Sequence, residues 1–403
     1  MSRRALWRKA VGVLAAVLAV CGLAFWLLAG EDDAARQQAD AEQAASIASA
    51  KGVATPGAAG PFTAESAATR RQQLALWQQR YDRAAQLYTS YRDATRYPFD
   101  SRPLSEHPDQ VRPFAPVLED KALRNANGDP VRGVRLRTSQ ERVYVSAGES
   151  VKFTVEAVDD EGRRVPLVVS RSAAQSVPDT TALIAIVRAE VPFTDNGSGA
   201  DLQAGDGQYS ARLVPAQQGF ASHNGTIRVL LDVSANGQQG AFAFDVIYTP
   251  SVPATWAGVR EAQEGGSLNF YLKAQVQTAG RYVASARVFD ANNKALALLQ
   301  FNDEVRSGAA EFKLTLFGAL VRDQNPAFPL RLVDVEGYLL RPDTFPDRAL
   351  MPRLAGTVHV SRSYSPESFS SAEWDGEERQ RYLAEYGKDV AEAQEQVRVL
   401  QGN

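Results

Sequence analysis

The chain has 403 residues, of which 44% are hydrophobic and 23% charged, with 44 Lys and Arg against 47 Asp and Glu and a net charge of −3. Such values are ordinary for a globular protein, and without a basic excess they argue against a nucleic-acid binder. Cys21 is the only cysteine, so there is no disulfide framework, and stability must come from cores large enough to need no covalent staple.

Arg3, Arg4, Arg8 and Lys9 form a basic tail over residues 1–9, ahead of an uncharged, mostly apolar run at 10–30. At ~1.5 Å per helical residue that run spans ~30 Å, a hydrocarbon core's thickness. A transmembrane helix over 10–30 is expected, with the cations cytoplasmic and everything after Glu31 exported to the periplasm or cell exterior. A cleaved signal peptide competes, but Trp26, Leu27 and Leu28 occupy its exit region, where small residues belong. So does a lipid anchor at Cys21, but the preceding Val20 is too large for a lipobox and the apolar run continues past the cysteine.

Residues 31–61 read as a helix-forming stretch and a linker, with Gly and Pro concentrated at 52–61. A helix is predicted over 62–96, with Leu74, Trp77, Tyr81 and Tyr88 in one stripe and Pro98 ending it. The stripe suits packing on the next domain, pairing with a second copy, or a dedicated partner. Residues 97–130 carry Pro98, Pro103, Pro108, Pro113 and Pro116 and predict an extended connector.

Two β-rich blocks follow, at 131–250 and 251–363. Val151, Phe153 and Val155 alternate with Lys152, Thr154 and Glu156, as a strand with one wet face requires. Asp160-Glu161-Gly162, Asp206-Gly207 and Asn236-Gly237 separate the runs of the first block, and 290–294 forms a hairpin loop in the second. The fold class is mainly β: tandem immunoglobulin-like β-sandwiches with an N-terminal transmembrane helix and flanking helices. Residues 364–403 predict a C-terminal helix opened by a capping box at Ser370-Ser371-Ala372-Glu373.

No nucleophile, zinc or phosphate-loop motif is present, and His107, His223 and His359 stand far apart. The concentrated polar motif runs from Asp195 to Tyr209 and sets Asp195, Asp201 and Asp206 among glycines. Calcium takes six to eight oxygens from such groups, making this the one candidate metal site. The alternative is a turn in which the carboxylates accept from backbone N–H groups. No other cofactor is expected.

The Asp195–Tyr209 run resembles a turn of bacterial extracellular immunoglobulin-like modules. Gly280-Arg281-Tyr282, the 286–292 run, Phe312 to Gly318 and Pro329-Leu330-Arg331-Leu332 are similar to the choice-of-anchor X group of bacterial surface proteins. The resemblance covers roughly 131–343 and implies an exported, non-catalytic module on an anchor. That group often carries its anchor at the C-terminus; here it is N-terminal. The function expected is therefore a membrane-anchored extracytoplasmic binding, adhesion or scaffold protein. It would hold the membrane through 10–30 and take an unidentified protein or glycan partner. Two alternatives stand: a cell-envelope glycan-acting enzyme with a carboxylate pair, and an assembly subunit of an envelope complex.

Overall fold

The computed structural model describes residues 64–178 and 186–402. The transmembrane span at 10–30, and with it the 1–9 tail and the 31–61 region, lies outside the described residues. No described helix is long and apolar enough to cross a membrane.

The described chain opens with helix α1 (Ala64–Ala94), followed by β1 (Ser101–Pro103) and two short 3-10 turns, Leu104–Glu106 and Pro108–Gln110. The first β block holds β2 (Val117–Arg124), β3 (Pro130–Gln140), β4 (Tyr144–Ser146), β5 (Val151–Val158) and β6 (Leu167–Ser176). It is completed by β7 (Arg188–Glu190), β8 (Tyr209–Leu213), β9 (Gly225–Ala235) and β10 (Gln238–Thr249). The second block holds β11 (Ala254–Glu264), β12 (Ser267–Val276), β13 (Gly280–Phe289), β14 (Ala295–Val305) and β15 (Gly308–Leu316). Helix α2 (Gly318–Gln324) precedes β16 (Arg331–Leu340), β17 (Arg348–Leu350) and β18 (Leu354–Val360), and helix α3 (Glu377–Gln401) closes the chain.

In the first block the strands run β7-β6-β9-β10-β2-β3-β5-β8, with β4 added parallel to β10. β10 and β2 meet only at Ala241 and Arg124, so the sheet opens there and its two halves face each other. Phe153 on β5 packs 4.7 Å from Phe244 on β10, ring centroid to ring centroid. The β9–β10 turn places Asn236 and Gly237 at positive φ, 50° and 78°, the geometry that matches strand twist and that Asn-Gly supplies readily. In β9 the burial alternates strictly at its start, with Ile227, Val229 and Leu231 inside.

The second block is a pair of antiparallel sheets. One has the order β1-β14-β13-β16-β17 with β18 also on β16; the other is β11-β12-β15. Phe270, Phe312, Tyr282, Leu299 and Leu332 fill the space between them.

Three expectations change here. Residues 97–130 are not connector throughout: Ser101, Arg102 and Pro103 pair with Leu299, Leu298 and Ala297, and 117–124 is a full strand of the first block. The first block therefore begins at Val117 rather than at 131. Sequence missed β2 because Val117-Leu118-Glu119-Asp120-Lys121 shows no alternation; its exposed Leu118 faces outward. The connector is fixed by Arg287, which is fully buried. Arg287 donates to Gln110 O (3.0 Å), Gln110 Oε1 (2.6 Å), Asp334 O (3.0 Å) and Glu336 Oε1 (2.8 Å).

The C-terminal helix begins at Glu377 after Gly376, and Ser370 caps nothing. Ser370 N–H instead bonds Gly266 O at 2.9 Å, and Glu373 pairs with Arg96 and Arg379. Residues 364–376 thus run along the second block before the helix starts. Past the undescribed residues 179–185, Arg188–Glu190 adds a short strand at the edge of the first block, paired with β6.

α1 and α3 pack antiparallel. Tyr91 sits edge-on to Tyr382 and Tyr386, at 5.7 and 5.3 Å. Arg379 donates to Thr95 Oγ1 at 3.1 Å and to Arg92 O at 3.3 Å.

Candidate functional site

The structure brings the three sequence-singled carboxylates together. One oxygen from each of Asp195, Asp201 and Asp206 lies within 4.8 Å of the others, a spacing compatible with a shared calcium whose ligands stand ~2.3–2.6 Å away. Each also has backbone partners. Asp195 accepts from Asp206 N–H at 3.1 Å and Gly207 N–H at 3.0 Å. Asp201, only 5% exposed, accepts from Gly197 N–H at 2.6 Å and Gln203 N–H at 3.4 Å. Asp206 accepts from Gln208 N–H at 2.9 Å. The Gly197 hydrogen bond, against the cost of burial, holds the Asp201 carboxyl below its usual range. Gly197 has φ +70°, and a Cβ there would come 3.1 Å from Ala204 N, so glycine is required for this closure. Arg164 reaches across to Asp206 O at 2.5 Å and tethers the loop to the strands below.

The histidines stand apart. His107 joins the two 3-10 turns. The His223 ring lies 3.0 Å from Thr226 O. His359 on β18 lies 2.9 Å from Glu261 Oε2 on β11, so this pair bridges the edges of the two sheets. Glu261 also accepts from Arg362 N–H at 2.8 Å and Tyr364 O–H at 3.0 Å. Burial pushes the Glu261 carboxyl up, but the donors from Arg362, His359 and Tyr364 prevail and hold it below the ordinary glutamate range.

A cleft of about 440 Å³, unannounced by any local motif, opens between the two β blocks. Phe114 comes from the connector, Glu141 and Arg142 from the link between β3 and β4, Glu149 and Ser150 from the β4–β5 turn, and Arg353 from the link between β17 and β18. Arg142 pairs with Glu149 at 2.7 Å and Glu141 at 3.2 Å. Both carboxylates are further engaged: Glu149 by Ser146 N–H and Oγ–H, each at 2.8 Å, and Glu141 by Lys152 N–H at 3.0 Å. Arg142 Nε is buried with no protein partner. Arg353 lies over the Phe114 ring at 4.9 Å and makes no ion pair or hydrogen bond among the described residues. Burial, with Arg142 adding repulsion, pulls Arg353 below its ordinary pKa. The walls are fixed across the junction: Arg348 lies 5.0 Å from both Tyr144 and Tyr338, and Arg341 donates to Ser251 Oγ at 3.1 Å. The cleft residues are scattered along the chain in ordinary composition, so no local signal existed to find them.

No family model and no curated protein matches this chain. Among solved structures it is similar to a DUF4785 family protein from Legionella pneumophila. The identity is 15% and the TM-score 0.38, over 57% of this chain and 58% of that one. The adhesin InvE of Yersinia pseudotuberculosis aligns at 13% identity and TM-score 0.16, over 55% of this chain and 59% of that one. Dimeric latent PorU of Porphyromonas gingivalis aligns at 9% identity and TM-score 0.17, over 60% and 34%. The chain thus spans under two thirds of the length of each of these proteins, and no choice-of-anchor family is among them. At these scores the likenesses assign neither family nor function.

Proposed function

We propose that this chain is a membrane-anchored extracytoplasmic binding or scaffold protein without catalytic activity, and that the cleft between its two β blocks takes an anionic group. The carrying observation is Arg353: a half-buried guanidinium with an aromatic ring beneath it and no acceptor. A guanidinium removed from water without a counter-ion is costly, and a carboxylate or phosphate offered to its fork returns a bidentate, charge-assisted pair. Glu141 and Glu149 are already committed to Arg142 and to backbone donors, which leaves them occupied as acceptors rather than free as an acid and base.

The anchor at 10–30, the outward placement of both β blocks, their immunoglobulin-like character and the choice-of-anchor X resemblance belong to the same reading, on the sequence motifs given above. The Asp195, Asp201 and Asp206 carboxylates are assigned to closing their own loop.

Titration calorimetry with citrate and with inorganic phosphate tests the cleft. Binding to the wild-type chain that falls at least tenfold in Arg353→Gln, with an unchanged melting temperature, supports the reading. Equal binding by both chains, or none by either at tens of millimolar, removes it. Protease accessibility of the folded part in intact cells stripped of their outer layers tests the placement; complete protection by the inner membrane overturns it.

A further inference from the structure

The two long helices carry one repeat each. On α1, Leu74, Trp77, Tyr81, Ala84, Tyr88 and Tyr91 alternate by three and four residues, and all are half-buried. On α3, Arg379, Leu383, Tyr386, Val390, Ala393, Val397 and Leu400 do the same, with Arg379, Ala393 and Val397 buried. A period of 3.5 on both partners is the seam of a two-stranded antiparallel coiled coil. The Tyr91 contacts, and a spacing of 3.8 Å between Tyr88 and the position a Cβ on Gly387 would take, set the register: residue numbers at one level sum to about 475.

That register exposes a second, unused face. In heptad terms Leu87 and Tyr382 flank the seam on the same side, and Leu76 and Val399 lie one step further out on that side. These four are 48%, 37%, 49% and 54% exposed. On the opposite flank Gln78, Ala85 and Gly387 are half-buried, and the exposed positions, Arg71, Arg92, Gln380 and Gln394, are polar or charged. The open face is also charge-sorted. α1 contributes Arg80 and Arg83; α3 contributes Glu385, Asp389 and Glu392. Within one molecule Arg83, Asp389 and Glu392 make no ion pair among the described residues, whereas Glu385 holds Lys388 at 2.7 Å.

We propose that this face pairs with the same face of a second copy, so that two helical hairpins form a four-helix bundle about a two-fold axis along the helices. Such an axis preserves level, so α1 of one copy meets α3 of the other at matched heights. Leu76 then falls opposite Val399 of the second copy, and Arg83 opposite its Glu392, since both pairs sum to 475. A two-fold contact is self-complementary by requirement, and a basic apolar strip beside an acidic apolar strip satisfies it. Four exposed large apolar groups on one flank leave the water when the second copy covers them. This inference does not depend on the cleft or on its ligand.

The test uses the full chain in detergent with Cys21→Ser as background. The dimer mass is measured by light scattering, and single-cysteine variants are crosslinked with a short bis-maleimide. Leu76→Cys and Val399→Cys should each stay uncrosslinked alone and give a double-mass product when mixed. Arg83→Glu should raise the dimer dissociation constant about tenfold, and Arg83→Glu with Glu392→Arg should restore it. Unchanged melting temperatures show that the single variants still fold. A monomer at tens of micromolar, a dimer indifferent to Arg83→Glu and to Leu76→Glu, or a mixture that yields no crosslink overturns the proposal.

Discussion

Replacing Arg287 by Met removes the staple that makes the Pro-rich connector part of the second β block. The guanidinium has no exposed surface, and four oxygen acceptors lie within 3.0 Å of it. Met fills much of the same stem volume, so the loss is of hydrogen bonds rather than of packing. A hydrogen bond to a charged group contributes ~1.5–3 kcal/mol. Glu336 keeps 31% of its side chain in water and hydrates once its cation goes. Gln110 O, Gln110 Oε1 and Asp334 O accept from one shared cation, and their losses are not additive. The desolvation cost of the arginine itself is relieved at the same time, which leaves a net destabilisation of ~3–5 kcal/mol, the usual range for breaking a buried charged cluster from one side. That is two to nearly four powers of ten in the unfolding equilibrium. Urea denaturation followed through Trp256, with limited proteolysis between Pro98 and Pro116, reads both consequences. Gln110→Ala, which deletes one acceptor and keeps the carbonyl, should cost only ~1 kcal/mol. An Arg287→Met chain within ~1 kcal/mol of wild type, with its connector no easier to cut, refutes the reasoning.

Glu261 should govern part of the acid limb. Its folded pKa is depressed, so the stability it adds is complete above the unfolded glutamate value of ~4.3 and disappears as pH falls through the lower folded value. Glu261→Gln should flatten the stability profile in that window and little above it; a wild-type slope there would remove the assignment. Asp195→Ala strips the acceptor from two backbone N–H groups and should cost ~1–3 kcal/mol in thermal melts. The drop should be equal with calcium and with chelator, because the loop closes on its own donors; a drop seen only with calcium would make the site a metal site.

Much of the β architecture was legible in the sequence because its signals are local. The alternation of Val151, Phe153 and Val155 announces a strand with one buried face, and Asn236-Gly237 announces the hairpin it makes. The Asp195–Asp206 cluster was legible too, since its carboxylates fall within 12 residues and the intervening glycines permit one closed loop. The helix stripe from Leu74 to Tyr88 was visible as periodicity, though not what it faces. Other features needed partners supplied from far along the chain. The connector becomes structure only when β14 offers Leu299 and Arg287 reaches Gln110. Ser370 and Glu373 carry the spacing of a cap, yet Gly266 and Arg96 take them first. Arg353 looks like any surface arginine until the two β blocks close beside Phe114 and leave it without an acceptor. Period and turn chemistry act over a few residues and can be read directly, whereas burial and charge pairing are decided by which distant segments meet.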